Sequence, residues 1–214
     1  MKNLLFTVLS AFLTSVVFSQ SMTEVNAGNR KKAGYYNTTQ MAILMGNRPS
    51  NSQNYYIVDA NKMQFSPSVT MTNGYMFNEK WAAGIGVGLE IFDQNHFPVF
   101  AEIRRTKWDE NVSPFFALKI GHAFGSFRKK HYDHLYLDWG SYQNVYFMNY
   151  GGLMLNPEMG VKVPLSENAD LLFTVAYRYQ KTKTAVSEDY GWHYNWERKE
   201  NLNRISLGVA IMFR

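Results

Sequence analysis

Cysteine is absent from the 214-residue chain. That excludes disulfides, thioether lipid attachment and thiolate metal sites. Charge is sparse, with Asp, Glu, Lys and Arg making up 18% of residues. Long hydrophobic runs are also missing: beyond the N terminus nothing approaches the ~20 apolar residues that a spanning helix needs. A helical membrane protein is excluded by that lack and by a mean hydropathy of -0.31. The net charge of +5 and isoelectric point near 9.2 invite a nucleic-acid reading. The basic residues are scattered, however, and no Lys/Arg-rich helix or stripe is present, so nucleic acid is not expected as a partner.

What the chain has in excess is aromatic residues, at 16%, with Phe and Tyr leading. Such residues suit strands, where they fit a pleated surface, and the balance disfavours disorder. Met1 and Lys2 open a short basic start, and an apolar run follows from Leu4 to Phe18. Broken by Thr7, Ser10, Thr14 and Ser15, it is too short to span, and Val17-Phe18-Ser19 offers a cleavage pattern before Gln20. Residues 1–19 therefore read as a signal peptide and residues 20–214 as one domain.

A strict two-residue period runs through Trp81–Ile91. Trp81, Ala83, Ile85, Val87, Leu89 and Ile91 alternate with Ala82, Gly84, Gly86, Gly88 and Glu90, as in a strand with two unlike faces. The same alternation marks Phe97–Thr106, Phe115–Gly125, Leu153–Val163, Leu171–Gln180 and Arg204–Phe213, and less cleanly Tyr35–Gly46 and Phe65–Phe77. Eight strands, an even number, suit a closed antiparallel up-and-down β-barrel.

Alternation alone does not say which face is outside, and a soluble lipocalin-like barrel would turn the apolar face inward. Three features favour a transmembrane barrel with its apolar face toward lipid. The polar face is rich in Gly and Ala, as a crowded lumen requires. Tyr75, Phe77, Trp81, Tyr177, Tyr179 and Phe213 gather on the apolar face as interfacial girdles do. Short connections (78–80, 107–112, 164–168) alternate with long ones (47–61, 127–150, 181–201); only 93–96 departs from that sorting.

Several stretches carry a resemblance: Phe18-Ser19-Gln20, Tyr75-Met76-Phe77-Asn78-Glu79-Lys80-Trp81 followed by Gly84-x-Gly86-x-Gly88, Val112-Ser113-Pro114-Phe115, and the last strand closing on Phe213. In these the chain resembles the small outer-membrane β-barrel proteins common in Bacteroidota, with an architecture similar to OmpA-like and OmpX-like barrels of the porin family. The resemblance covers nearly all of the mature chain. It implies an all-β fold in the outer membrane of a Gram-negative cell, without fixing an activity. Arg214 after the terminal aromatic departs from the pattern.

Inward positions include Glu90, Glu102, Arg104, Lys119, Glu158, Lys162, Arg178 and Arg204. An eight-stranded barrel is just wide enough for side chains to fill, and buried charges must pair. Glu102 is expected opposite Lys119, and Glu158 diagonal to Arg178. A plugged, non-conducting interior follows.

No catalytic, cofactor or metal motif emerges. The Gly84-x-Gly86-x-Gly88 series lies inside a strand, whereas a nucleotide loop needs a strand before it and a helix after. His131-x-x-His134 with Asp133 and Asp138 has no metal-site spacing. His122 and Ser126 share an outward face but stand roughly 13 Å apart at strand rise, too far for a hydrolytic pair. In the third long connection Arg128, Lys129 and Lys130 suit lipopolysaccharide phosphates. The aromatics around 132–146 and 190–196 suit a surface ligand, or else pack on one another where strands extend past the membrane. The reading is a non-enzymatic outer-membrane barrel with a structural or surface-interaction role. A narrow pore or conduit for small apolar molecules, and a membrane-embedded lipid-modifying enzyme, are the alternatives.

Overall fold

The computed structural model describes residues 32–47, 63–91, 95–107, 112–125, 130–132, 144–189 and 193–214. Its strands are β1 (Gly34–Asn47), β2 (Met63–Met76), β3 (Trp81–Glu90), β4 (His96–Thr106), β5 (Ser113–Gly125), a short β6 (Lys130–Tyr132), β7 (Asn144–Ser166), β8 (Ala169–Asp189) and β9 (His193–Phe213). Each pairs antiparallel with its neighbour, and β1 also pairs with β9, so the sheet closes on itself. β5 and β6 both lie along β7, β5 on its C-terminal half and β6 near its start. They form one interrupted stave, and the barrel has eight. Over the stretch that all eight staves share, every described stave is paired on both sides, the condition for strands to cross a bilayer.

Period-two alternation becomes two surfaces. On β3, Ile85 is 70% exposed while Glu90 on the opposite face is fully buried. Phe65, Ile103, Met159 and Leu207 extend the same exposed apolar surface around the other staves. The buried face holds Thr, Ser, Gln, Glu, Lys and Arg. This is the reverse of a soluble barrel and matches a lipid-facing exterior around a polar interior. Glycines make room on the inner wall: a Cβ on Gly86 would meet the Phe100 ring at 2.4 Å.

The two ends differ. The start of β1, the end of β9 and the strand ends that flank 77–80, 107–112 and 167–168 share one end. At the other, β7, β8 and β9 reach 23, 21 and 21 residues, well past the 10 to 14 of β1 to β5. Of the two expectations for 181–201, a long connection or strands extending past the membrane, the second holds: Lys181–Asp189 is paired to His193–Asn201 in the β8–β9 ladder. Within 127–150, residues 130–132 and 144–150 are likewise strand. Here the outward face has left the apolar core of the bilayer, so the hydrophobic alternation that marks a membrane strand fades from the sequence.

One irregularity bends the wall. Register shifts in the β7–β8 ladder between Asn149 and Gly151, where Gly151 takes φ +71° and a Cβ would lie 1.8 Å from the Ala123 carbonyl oxygen. The bulge resets which residues of β7 face inward: Asn149 before it, then Met154, Asn156 and Glu158 after it.

Candidate functional site

The lumen is built in layers from inward-facing side chains of all eight staves. At the short-turn end Arg214 closes onto Asp170, its Nε donating to Oδ2 at 2.7 Å. Above that sits an apolar layer of Tyr36, Met76, Phe115, Leu172 and Met212. Arg104 crosses it, its guanidinium 5.5 Å from the Tyr36 ring and 5.3 Å from the Phe115 ring, with Nη1 donating to Met212 Sδ at 3.2 Å. Cation–π contact of this kind gains strength where water is excluded.

The first charged layer balances two cations against two carboxylates. Arg104 Nη2 lies 2.8 Å from Glu102 Oε1, and Lys119 Nζ lies 2.8 Å from Glu158 Oε2 and 3.7 Å from Glu102 Oε2. Glu102 and Lys119 are register partners on β4 and β5. Gln40 knits the layer to the far wall, accepting from Lys119 Nζ at 2.7 Å and donating to Glu158 Oε2 at 3.1 Å and Thr174 Oγ1 at 2.8 Å.

The second charged layer is centred on Glu90. Arg178 and Arg204, from β8 and β9, converge on its two oxygens, the Arg204 Nη2 to Oε2 distance being 3.1 Å. Arg178 Nε also donates to Asn156 Oδ1 at 3.0 Å, and Arg204 donates to Gln180 Oε1. Toward the outer mouth, Asn149 Nδ2 meets His96 Nε2 at 2.9 Å, and Asn149 Oδ1 accepts the Gly151 N–H at 2.7 Å. The second bond orients the Asn149 amide, so the neutral tautomer with an accepting Nε2 fits the first.

The eight sequence-expected lumen residues are each at most 9% exposed. Seven fall into these two layers, while Lys162 lies nearer the short-turn end, opposite Ser113 and Leu172. Glu158 and Arg178 stand near one another as diagonal neighbours, yet their side chains bind Lys119 and Glu90 instead. Alternation places Asn156 and Gln180 inward, but it carries no signal that they complete the coordination of two arginines.

His122 sits on the outer wall with its ring centroid 4.6 Å from that of Phe124. Ser126, Asp133, His134, Asp138, Arg128 and Lys129 lie outside the described residues, and of Lys130 and His131 only the backbone is described. Among the described residues no group of three or more His, Asp or Glu side chains is placed to hold a metal ion.

The outer wall has polar collars. Near the short-turn end Tyr35 Oη and Asn37 Nδ2 donate to Asn73 Oδ1 at 2.7 and 2.6 Å, and Arg105 lies over the Trp81 ring at 5.4 Å. On the long-strand side Tyr177 Oη donates to Asn203 Oδ1 at 2.8 Å and Tyr179 Oη to Asn201 Oδ1 at 3.2 Å. Amphipathic rings at two heights, with apolar wall between, are the girdles of a membrane barrel.

No family model matches the chain, and no curated protein matches it in sequence. Solved structures do share its architecture. The outer membrane protein OprG from Pseudomonas aeruginosa is similar with a TM-score of 0.56 at 14% identity, over 87% of this chain and 99% of that one. Neisserial surface protein A gives 0.52 at 15% identity, over 86% and 99%. The outer membrane protein AlkL, solved in lipid bilayers, gives 0.51 at 11%, over 86% and 90%. At such identities the likeness is one of fold: an eight-stranded barrel of the outer-membrane type.

Proposed function

We propose that the protein is a non-enzymatic barrel of the outer membrane whose lumen is sealed and whose role is structural or one of surface interaction. The observation that carries this reading is the Glu90 layer, where side chains from three staves meet across the barrel axis. Together with the Glu102–Lys119–Glu158 layer and the apolar layer beneath, it leaves the lumen filled by bonded side chains rather than lined by them. A pore needs the opposite arrangement, with charges on the wall and water along the axis. The extended β7, β8 and β9 carry aromatic-rich sequence beyond the outer girdle and form the surface that a ligand outside the cell would meet. Outer-membrane lipids, lipopolysaccharide among them, are the surroundings this exterior suits, with residues 1–19 as the export signal.

Reconstitution into planar bilayers tests the sealed lumen. Insertion without stepwise current above bilayer leak is the expected result, and reproducible single-channel steps would contradict it. Fractionation of cells, with heat-modifiable mobility on gels as the mark of a folded barrel, tests the location.

A further inference from the structure

Just beyond the outer girdle the barrel wall carries a basic ledge. Lys181 and Lys183 follow Tyr177 and Tyr179 on the outward face of β8, and Lys199 stands on the outward face of β9. Lys183 and Lys199 are direct register partners, and Lys181 is opposite Asn201. Like charges directly opposite one another weaken a ladder, so this pairing is a cost that the fold alone does not explain. Glu197 relieves part of it, its Oε1 lying 2.7 Å from Lys183 Nζ. Three lysines less one carboxylate leave the ledge at +2, and Glu200 lies on the other face of β9 by strand alternation. Tyr150 of β7 flanks the site, its ring 6.0 Å from Lys183 Nζ.

Height decides what these charges meet. Lys181 is two residues past Tyr179, about 7 Å along the strand. With the tyrosine rings at the interface, the ammonium groups stand at the level of lipid phosphates rather than out in water. Resting on the outer-membrane location proposed above, we infer that Lys181, Lys183 and Lys199 bind the phosphorylated sugar headgroup of an outer-leaflet glycolipid. Its phosphate neutralises the Lys183–Lys199 repulsion, Tyr150 and Tyr179 border its sugar, and its acyl chains run down the apolar wall between Tyr177 and Phe173.

The test uses the refolded full-length chain in detergent, with lipid retention read by native mass spectrometry. The probes are bisphosphorylated lipid A, the same lipid with both phosphates removed, and inorganic phosphate. The wild type is expected to retain the phosphorylated lipid in preference to the other two. Lys181→Gln, Lys183→Gln and Lys199→Gln together are expected to weaken it about a hundredfold, from about fivefold per lysine at a membrane surface. Arg105→Gln, at the opposite girdle, is expected to leave binding unchanged. Glu197→Gln is expected to tighten it severalfold, a gain of function that poor folding cannot imitate. Heat-modifiable mobility checks each variant. If the triple variant does not fold, Lys199→Gln and Glu197→Gln, with their opposite signs, carry the test. Equal retention by wild type and Lys199→Gln would overturn the assignment, as would equal retention of the phosphate-free lipid, or inorganic phosphate binding as tightly as the lipid. Fractionation away from the outer membrane would overturn the location, whatever the lipid result.

Discussion

Glu90→Gln is the substitution that probes the sealed lumen most sharply. The carboxylate is fully buried and is held by the guanidinium groups of Arg178 and Arg204. The amide keeps the shape and one accepting oxygen but removes the charge, leaving two buried cations facing each other. Losing two charge-assisted hydrogen bonds at about 1.5–3 kcal/mol each agrees with the about 3–5 kcal/mol typical of breaking a buried ion pair. Because the amide oxygen still accepts one bond, the expected loss lies near the lower end, about 3 kcal/mol. The assay is urea unfolding of the barrel refolded into phospholipid vesicles, followed by tryptophan fluorescence. Adding Arg204→Gln to Glu90→Gln is expected to cost less than Arg204→Gln alone, with a coupling above about 1 kcal/mol. A loss under about 1 kcal/mol, with additive effects in the cycle, would refute the claim that Glu90 holds the two arginines together.

Lys119→Met leaves Glu102 and Glu158 facing each other without their shared cation. It is expected to cost about 3–5 kcal/mol in the same unfolding assay and to be partly restored by Glu158→Gln. Gly151→Ala forces a side chain into the left-handed region and against the Ala123 carbonyl. A loss of about 2 kcal/mol or more is expected, with the largest change in amide exchange along β5 and β7. Glu197, on the β8–β9 hairpin outside the membrane, has its carboxyl held below the ordinary glutamate range by the Lys183 hydrogen bond and by the Lys183 and Lys199 charges. A depressed folded-state value means the interaction is present above the ordinary value and is lost as pH falls through the folded one. Carbon-13 titration of Glu197 is expected to show the low value, and Lys183→Gln to return it toward the ordinary one.

Much of this barrel is legible in the sequence because the bilayer imposes a rule that writing in two residues can express. Trp81–Ile91 shows lipid on one side and a crowded lumen on the other, and the closed sheet places its odd and even residues on those two surfaces. The rule stops at the membrane boundary. Lys181–Asp189 and His193–Asn201 are as much strand as the rest, yet with no lipid face they read as a loop. Tyr177 and Tyr179 consequently look like the end of a strand when they mark the girdle partway along β8.

The lumen divides the same way. Glu102 opposite Lys119 is a matter of counting back from a turn, and the register of β4 and β5 puts them together. The Glu90 layer could not be counted, because its arginines come from β8 and β9, 88 and 114 residues away, and meet Glu90 across the axis of the closed barrel. Register also fixes Cα positions without fixing rotamers. Arg178 and Glu158 are diagonal neighbours, and each turns to a different partner. The β7 bulge is equally silent in the sequence, since Tyr150-Gly151-Gly152 offers glycines but not which of them takes the positive φ.

The central claim is the orientation of the two faces: apolar residues to lipid, charges to a closed interior. With no native cysteine, single substitutions report one site each. Spin labels at Leu207, Val209 and Ile211, and at Ser206 and Ala210, compare outward with inward positions on β9 in refolded vesicles. Collision with oxygen, which concentrates in the bilayer, is expected to be high at 207, 209 and 211 and low at 206 and 210. At the latter two, a water-soluble nickel chelate is also expected to have little access. Oxygen access without alternation, or highest at 206 and 210, would contradict the orientation, and nickel access at 206 and 210 would contradict the sealed lumen.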